Sequence, residues 1–129
     1  MCPSGVQLTD ASGVITSPFY PRKYPSNQDC SWEIKGNRVK LVIDKMAIHR
    51  CGGDACTCDY LEVLDGFNAE GGAPSGKQCV DENFTPLTYY STHEHLRVRF
   101  FSNPDARNNG FSATYTQLNY TPPGRNTAQ

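Results

Sequence analysis

The stretch Leu96-Arg97-Val98-Arg99-Phe100 alternates apolar and charged side chains without a break. Only an extended strand, one face buried and the other in water, separates two such sets of side chains at period two. Leu96, Val98 and Phe100 are predicted to face a core, and Arg97 and Arg99 the solvent. The segments Val39 to Met46, Tyr60 to Leu64 and Phe111 to Leu118 carry the same pattern, and Trp32 with Ile34 repeats it. No segment reads as a long amphipathic helix. Runs of turn formers separate the strand segments: Ser17-Pro18-Phe19-Tyr20-Pro21, Tyr24-Pro25-Ser26-Asn27, Asp65-Gly66, the glycine-rich run from Glu70 to Gly76, and Asn108-Asn109-Gly110. Short strands at this spacing predict an all-β sandwich or barrel.

The chain has 129 residues, about one domain, and its aromatic content (one Trp, seven Tyr, six Phe) supplies a core. Twelve basic against thirteen acidic side chains leave a formal charge of -1. No overall field therefore draws the domain to nucleic acid or to an anionic membrane surface. No apolar run is long enough to span a bilayer, and residues 1–20 hold no signal-peptide core, so a mature module of a longer protein is expected, with Met1 as an added start. Six cysteines (Cys2, Cys30, Cys51, Cys56, Cys58 and Cys79) in a chain this short favour a disulfide framework in an oxidising compartment, although six allow about fifteen pairings. Asn83-Phe84-Thr85 and Asn119-Tyr120-Thr121 are N-glycosylation sequons and agree with export. Residues 119–129 lack apolar side chains to bury beyond Tyr120 and read as a flexible linker.

Taken in order, Cys2, Gly13-Val14-Ile15-Thr16-Ser17-Pro18-Phe19-Tyr20-Pro21, Tyr24-Pro25, Asn27, Cys30-Ser31-Trp32-Glu33-Ile34, Cys56-Thr57-Cys58-Asp59-Tyr60-Leu61-Glu62-Val63-Leu64-Asp65-Gly66, Gly76-Lys77-Gln78-Cys79, Phe100-Phe101-Ser102-Asn103 and Gly110-Phe111-Ser112-Ala113-Thr114-Tyr115 resemble the CUB domain, over residues 2–118. The resemblance implies a disulfide-stapled antiparallel β-sandwich of jelly-roll type, with two sheets of about five strands. It also implies disulfides Cys2–Cys30 and Cys56–Cys79, leaving Cys51 and Cys58 as an additional pair. Cys58–Cys79 with Cys51–Cys56 is the alternative.

Many members of the family hold calcium between one Glu and two Asp. By position these fall here on His49, Asp59 and Asn103, so one carboxylate of three survives. Tyr20 matches a supporting tyrosine, and Asp54 or Asp105 is a candidate displaced carboxylate. Hard cations want several oxygen ligands and a neutral imidazole is a poor one. The reading is a degenerate site with calcium disfavoured and no other cofactor, in which Asp59 serves as a buried hydrogen-bond acceptor. His49, Cys51, Cys56 and Cys58 have zinc-ligand chemistry, but bridges use these thiols better, since zinc would orphan Cys79. His93 and His95 would share one face of an extended segment about 7 Å apart, but without a third ligand they read as exposed turn histidines. Arg22, Lys23, Lys40, Lys45, Arg97 and Arg99 are the basic residues from which a glycan-binding patch would be built. No nucleophile elbow, zinc-protease motif or phosphate loop occurs, and the chain is read as no enzyme.

These observations lead to an extracellular, non-catalytic protein-recognition module of a secreted or membrane-anchored protein. Its partners are expected among extracellular proteins or neighbouring domains, with no membrane insertion of its own. Candidate contacts are Asp54, Asp59, Phe67, Asn103, Asp105 and Arg107, on the loops Cys51 to Cys58, Phe67-Asn68 and Asn103 to Asn109. The alternatives are a spacer that braces its neighbours, and a binder of sulfated polysaccharide.

Overall fold

The computed structural model describes residues 5–48, 56, 58–69, 76–80, 83–104 and 108–118. Among these residues the chain forms ten strands and no helix: β1 Val6–Leu8, β2 Ser12–Thr16, β3 Asp29–Lys35, β4 Arg38–Ala47, β5 Tyr60–Leu64, β6 Gly66–Asn68, β7 Lys77–Gln78, β8 Leu87–Ser91, β9 His95–Phe101 and β10 Gly110–Leu118. They make two five-stranded sheets, ordered β1-β3-β9-β5-β7 and β2-β10-β4-β8-β6. Odd-numbered strands lie in the first sheet and even-numbered strands in the second, so every connection crosses from one sheet to the other. No strand pairs with its neighbour in sequence, and each ladder is built from distant segments. The pairings are antiparallel except that of β1 with β3, which run parallel.

The alternation expected of β9 is present, with Leu96, Val98 and Phe100 fully buried and Arg97 and Arg99 turned outward. Trp32 and Ile34 of β3, Leu61 and Val63 of β5, and Phe111, Ala113 and Tyr115 of β10 complete the inner faces. Edge-to-face and tilted ring contacts tie the layers together. Phe100 of the first sheet lies 5.6 Å from Phe111 of the second, Tyr24 packs 5.0 Å from Phe100, and Trp32 6.0 Å from Phe111.

Strand β4 departs from the uniform alternation expected of Val39 to Met46. Val39, Leu41 and Ile43 face inward, but so do Met46 and Ile48, on the other parity. The change occurs at a register shift: Ala113 of β10 opposes Ile43 while Ser112 opposes Lys45, which leaves Asp44 as the extra residue of a β-bulge. Thr114 Oγ1 donates to Asp44 Oδ2 at 2.8 Å and holds the bulged residue on the outer face. Lys45 is thereby spared burial.

The edge strand β7 contributes only two paired residues, Gln78 with Leu61 and Lys77 with Glu62. Cys56, just before β5, is bonded to Cys79, just after β7, and staples this short edge. The bridge is the first of the two pairings implied for Cys56 and rules out Cys58–Cys79. Cys30 and Cys58 are disulfide-bonded as well. Cys2 and Cys51, their expected partners, lie outside the described residues.

Candidate functional site

Three connections converge at one end of the sandwich: residues 17–28 between β2 and β3, the segment before β5, and residues 102–109 between β9 and β10. Their backbones are stitched to one another. Tyr24 N–H donates to Asn108 O, Asn27 N–H to Asn103 O, Ser17 N–H to Phe111 O and Ser102 N–H to Gln28 O. Side chains add further ties, since Ser102 Oγ accepts from Gln28 N–H at 2.9 Å and donates to Pro25 O at 2.8 Å, while Asn109 Nδ2 donates to Pro21 O at 2.6 Å. Close approach makes glycine obligatory where β10 begins. Gly110 has φ +92°, and a Cβ there would stand 1.8 Å from Ser17 Oγ.

Asp59 sits beneath this end with no exposed surface. Its Oδ2 accepts from the Tyr24 hydroxyl at 2.5 Å and its Oδ1 from the Asn103 backbone N–H at 2.8 Å. One carboxylate thus joins all three connections, and the donors replace the water lost on burial. Asp59, expected as a candidate contact, therefore offers no surface to a partner and instead positions the three connections. Tyr24, not singled out in the sequence, is the tyrosine on this carboxylate, and its only signal was the Tyr24-Pro25 step. Tyr20, the residue expected to support a cation site, is half-buried in the turn above and bonds through its N–H to Ser17 O. Asn103 is half-buried, and Phe67 lies on β6, tilted against Tyr90 at 5.9 Å. His49, Asp54, Asp105 and Arg107 fall outside the described residues, as does Asn119. Among the described residues no group of three His, Cys, Asp or Glu side chains could hold a metal ion.

An exposed aromatic side chain at this end was not singled out in the sequence. Phe19 is 61% exposed and adopts φ +65°, a left-handed conformation that a bulky side chain reaches only against steric resistance. The turn around it is pinned by Arg22 N–H on Phe19 O at 2.7 Å and by Tyr20 N–H on Ser17 O at 3.2 Å. Pro21, Arg22 and Lys23, beside it, are exposed too.

The histidines and the remaining basic residues lie elsewhere. His93 is exposed in the bend before β9, in keeping with a turn histidine, whereas His95 is half-buried and opens the strand. His95 Nε2 is 3.1 Å from Asp65 Oδ2, to which Arg97 Nε also donates at 2.6 Å. Burial pushes the Asp65 carboxyl up, but the hydrogen bond and charge of Arg97 together with His95 outweigh it and hold it below the usual carboxylate range. Arg99 makes a two-pronged bond to Asp29, both contacts at 2.9 Å, which lowers the Asp29 pKa and raises that of Arg99. Arg97 and Arg99 belong to the first sheet, whereas Lys40 and Lys45 belong to β4 of the second, so these four do not assemble into one patch.

A family model for the CUB domain matches residues 2–115. Cubilin of Canis lupus familiaris is 37% identical over 113 residues, which cover 84% of this chain and 3% of that protein. Tolloid-like protein 1 of Homo sapiens is 38% identical over 113 residues, covering 85% of this chain and 11% of that protein. The chain spans only a small part of the length of these relatives. Among solved structures, the full extracellular region of zebrafish Gpr126/Adgrg6 matches with a TM-score of 0.75 at 29% identity, covering 90% of this chain and 15% of that one. The MASP-1 CUB2 domain bound to Ca2+ matches with a TM-score of 0.69 at 28% identity, covering 88% and 98%. The two five-stranded sheets, the stapled edge and the matched motifs have one conclusion: the chain belongs to the CUB domain family of extracellular β-sandwich modules.

Proposed function

We propose that this module recognises another extracellular protein, without catalysis of its own, through the loops that converge above Asp59. Phe19 is the observation that carries the reading. A side chain of this size is costly in water and costly at positive φ, and nothing in the core requires it, since it projects from the surface. Two local rules broken at one pinned residue are expected of a binding anchor rather than of a scaffold position. With Pro21, Arg22 and Lys23 exposed alongside, the complementary surface is an apolar socket bordered by carboxylates. Asn103 and Asn108 belong to the same surface, because they are bonded to Asn27 and Tyr24.

Calcium has no part in this reading. His49 and Asn103 replace two of the three expected carboxylates, and the remaining one, Asp59, already receives an O–H and an N–H dipole on its two oxygens. Those dipoles supply the positive potential that a cation supplies in an acidic cluster, and a ring of so few hard oxygen ligands suits the ion poorly. The division of the strand-borne basic residues between two sheets, with Arg97 and Arg99 engaged by aspartates, favours a protein partner over a sulfated polysaccharide.

Replacing Phe19 by Asn removes the aromatic anchor and relieves the left-handed backbone. Screened against an array of extracellular ectodomains, the module should bind a partner that Phe19→Asn loses by at least about tenfold, the ~1.4 kcal/mol of a modest hot spot. Its melting temperature should stay level or rise. Equal binding by both proteins would move the function to another surface, and binding by neither would favour the spacer role.

A further inference from the structure

Beside the Phe19 turn a groove of about 450 Å³ runs between Tyr20-Pro21, the end of β4 at Met46-Ala47, and the segment Asn83 to Pro86. Its floor is largely apolar, and Asn83 stands on its rim. Within the sequon Asn83-Phe84-Thr85, Asn83 and Thr85 are exposed while Phe84 turns inward and packs against the core. Asn83 also has φ +60°, a turn conformation that asparagine tolerates and that lifts its side chain from the surface. Neither its carboxamide nor the Thr85 hydroxyl has a hydrogen-bond partner among the described residues.

We infer that Asn83 is an N-glycosylation site and that the first sugar of its glycan seats over this groove. Phe84 anchors the tripeptide so that Asn83 and Thr85 face water together, and the folded sandwich leaves room for a glycan on Asn83, as it would not on an inward-turned Asn. In the transfer, the Asn83 amide nitrogen forms a bond to the anomeric carbon of a polyprenyl-pyrophosphate-linked oligosaccharide. The bond from that carbon to the pyrophosphate breaks, the lipid pyrophosphate leaves, and the amide loses one proton. The apolar face of an N-acetylglucosamine then covers Tyr20, Pro21 and Pro86, surface that the sandwich otherwise leaves wet. The sugar lies beside the Phe19 turn rather than on it.

The test is secretion of the chain from an animal cell line, followed by peptide mass analysis before and after enzymatic cleavage of the Asn–glycan bond. The Asn83 peptide should carry a hexosamine-rich glycan and read as aspartate after release. Thr85→Ala and Asn83→Gln should abolish it, and Thr85→Ser should restore it. An unmodified Asn83 in secreted protein overturns the site. Trimming the glycan to its first sugar should leave the melting temperature of the glycoprotein unchanged, while complete removal should lower it. A melting temperature indifferent to complete removal overturns the seating over the groove.

Discussion

A carboxylate taken out of water is tolerated only where donors replace the water, and Asp59 has two, from different connections. Asn at this position keeps the shape but loses the charge that strengthens both bonds, and the Tyr24 hydroxyl has to turn from donor to acceptor. Asp59→Asn is therefore expected to cost about 2–4 kcal/mol in urea unfolding, and Tyr24→Phe, which removes one donor, about 1–2 kcal/mol. An unchanged midpoint for Asp59→Asn would show that the connections are held by their backbone bonds alone. Phe19 illustrates the opposite case at the same end: its side chain stabilises nothing, and the backbone beneath it is what the hydrogen bonds hold.

At the scale of elements, the bulge in β4 is a device for keeping one lysine dry-side out. Without Asp44, the order Ile43, Lys45, Met46, Ala47, Ile48 alternates regularly, inward at Ile43, Met46 and Ile48. Deleting Asp44 should leave a folded protein that has lost the Thr114 bond and about 1 kcal/mol, as read by thermal unfolding. Deleting Val42 instead, in the regular half of the strand, turns Ile43 outward and drives Asp44 into the core even when the bulge closes, and should abolish the cooperative transition. If both deletions unfold the chain alike, the extra residue is needed for the twist of the strand and not merely tolerated. The edge pair β5–β7 shows another economy, since a ladder of two residue pairs is backed by the Cys56–Cys79 bond.

For the molecule as a whole, strands that alternate between two sheets leave both ends of the sandwich built from connections, and at the Asp59 end these are held together by the bonds to its carboxylate. Calorimetry of the oxidised, EDTA-treated domain should show no saturable heat with calcium up to several millimolar, and the melting temperature should not move, because an ion that binds only the native state must raise it. A saturable heat with a raised melting temperature would place an ion among Asp59, Asn103 and a further carboxylate such as Asp54 or Asp105, and would point the search for partners toward basic side chains.

Strands β3, β4, β5, β9 and β10 were legible because their signal is local, whereas β1, β2, β6, β7 and β8 lack such a run and were not read. Leu96 to Phe100 declares an inner and an outer face by period alone, and Trp32-Glu33-Ile34 and Phe111 to Tyr115 do the same. The motif order likewise carried the family, and with it the bond between Cys56 and Cys79. What the amino-acid order could not disclose depends on segments distant in sequence. Tyr24 reaches Asp59 across 35 positions, and Gly110 is forced by Ser17. The bulge at Asp44 follows from the opposing strand β10, and the exposure of Phe19 follows from a turn tied to the neighbouring loop. Periodicity determines which face of a strand is apolar because burial is decided residue by residue; the geometry of the loop end is decided by contacts between segments, and those exist only after the two sheets have closed on each other.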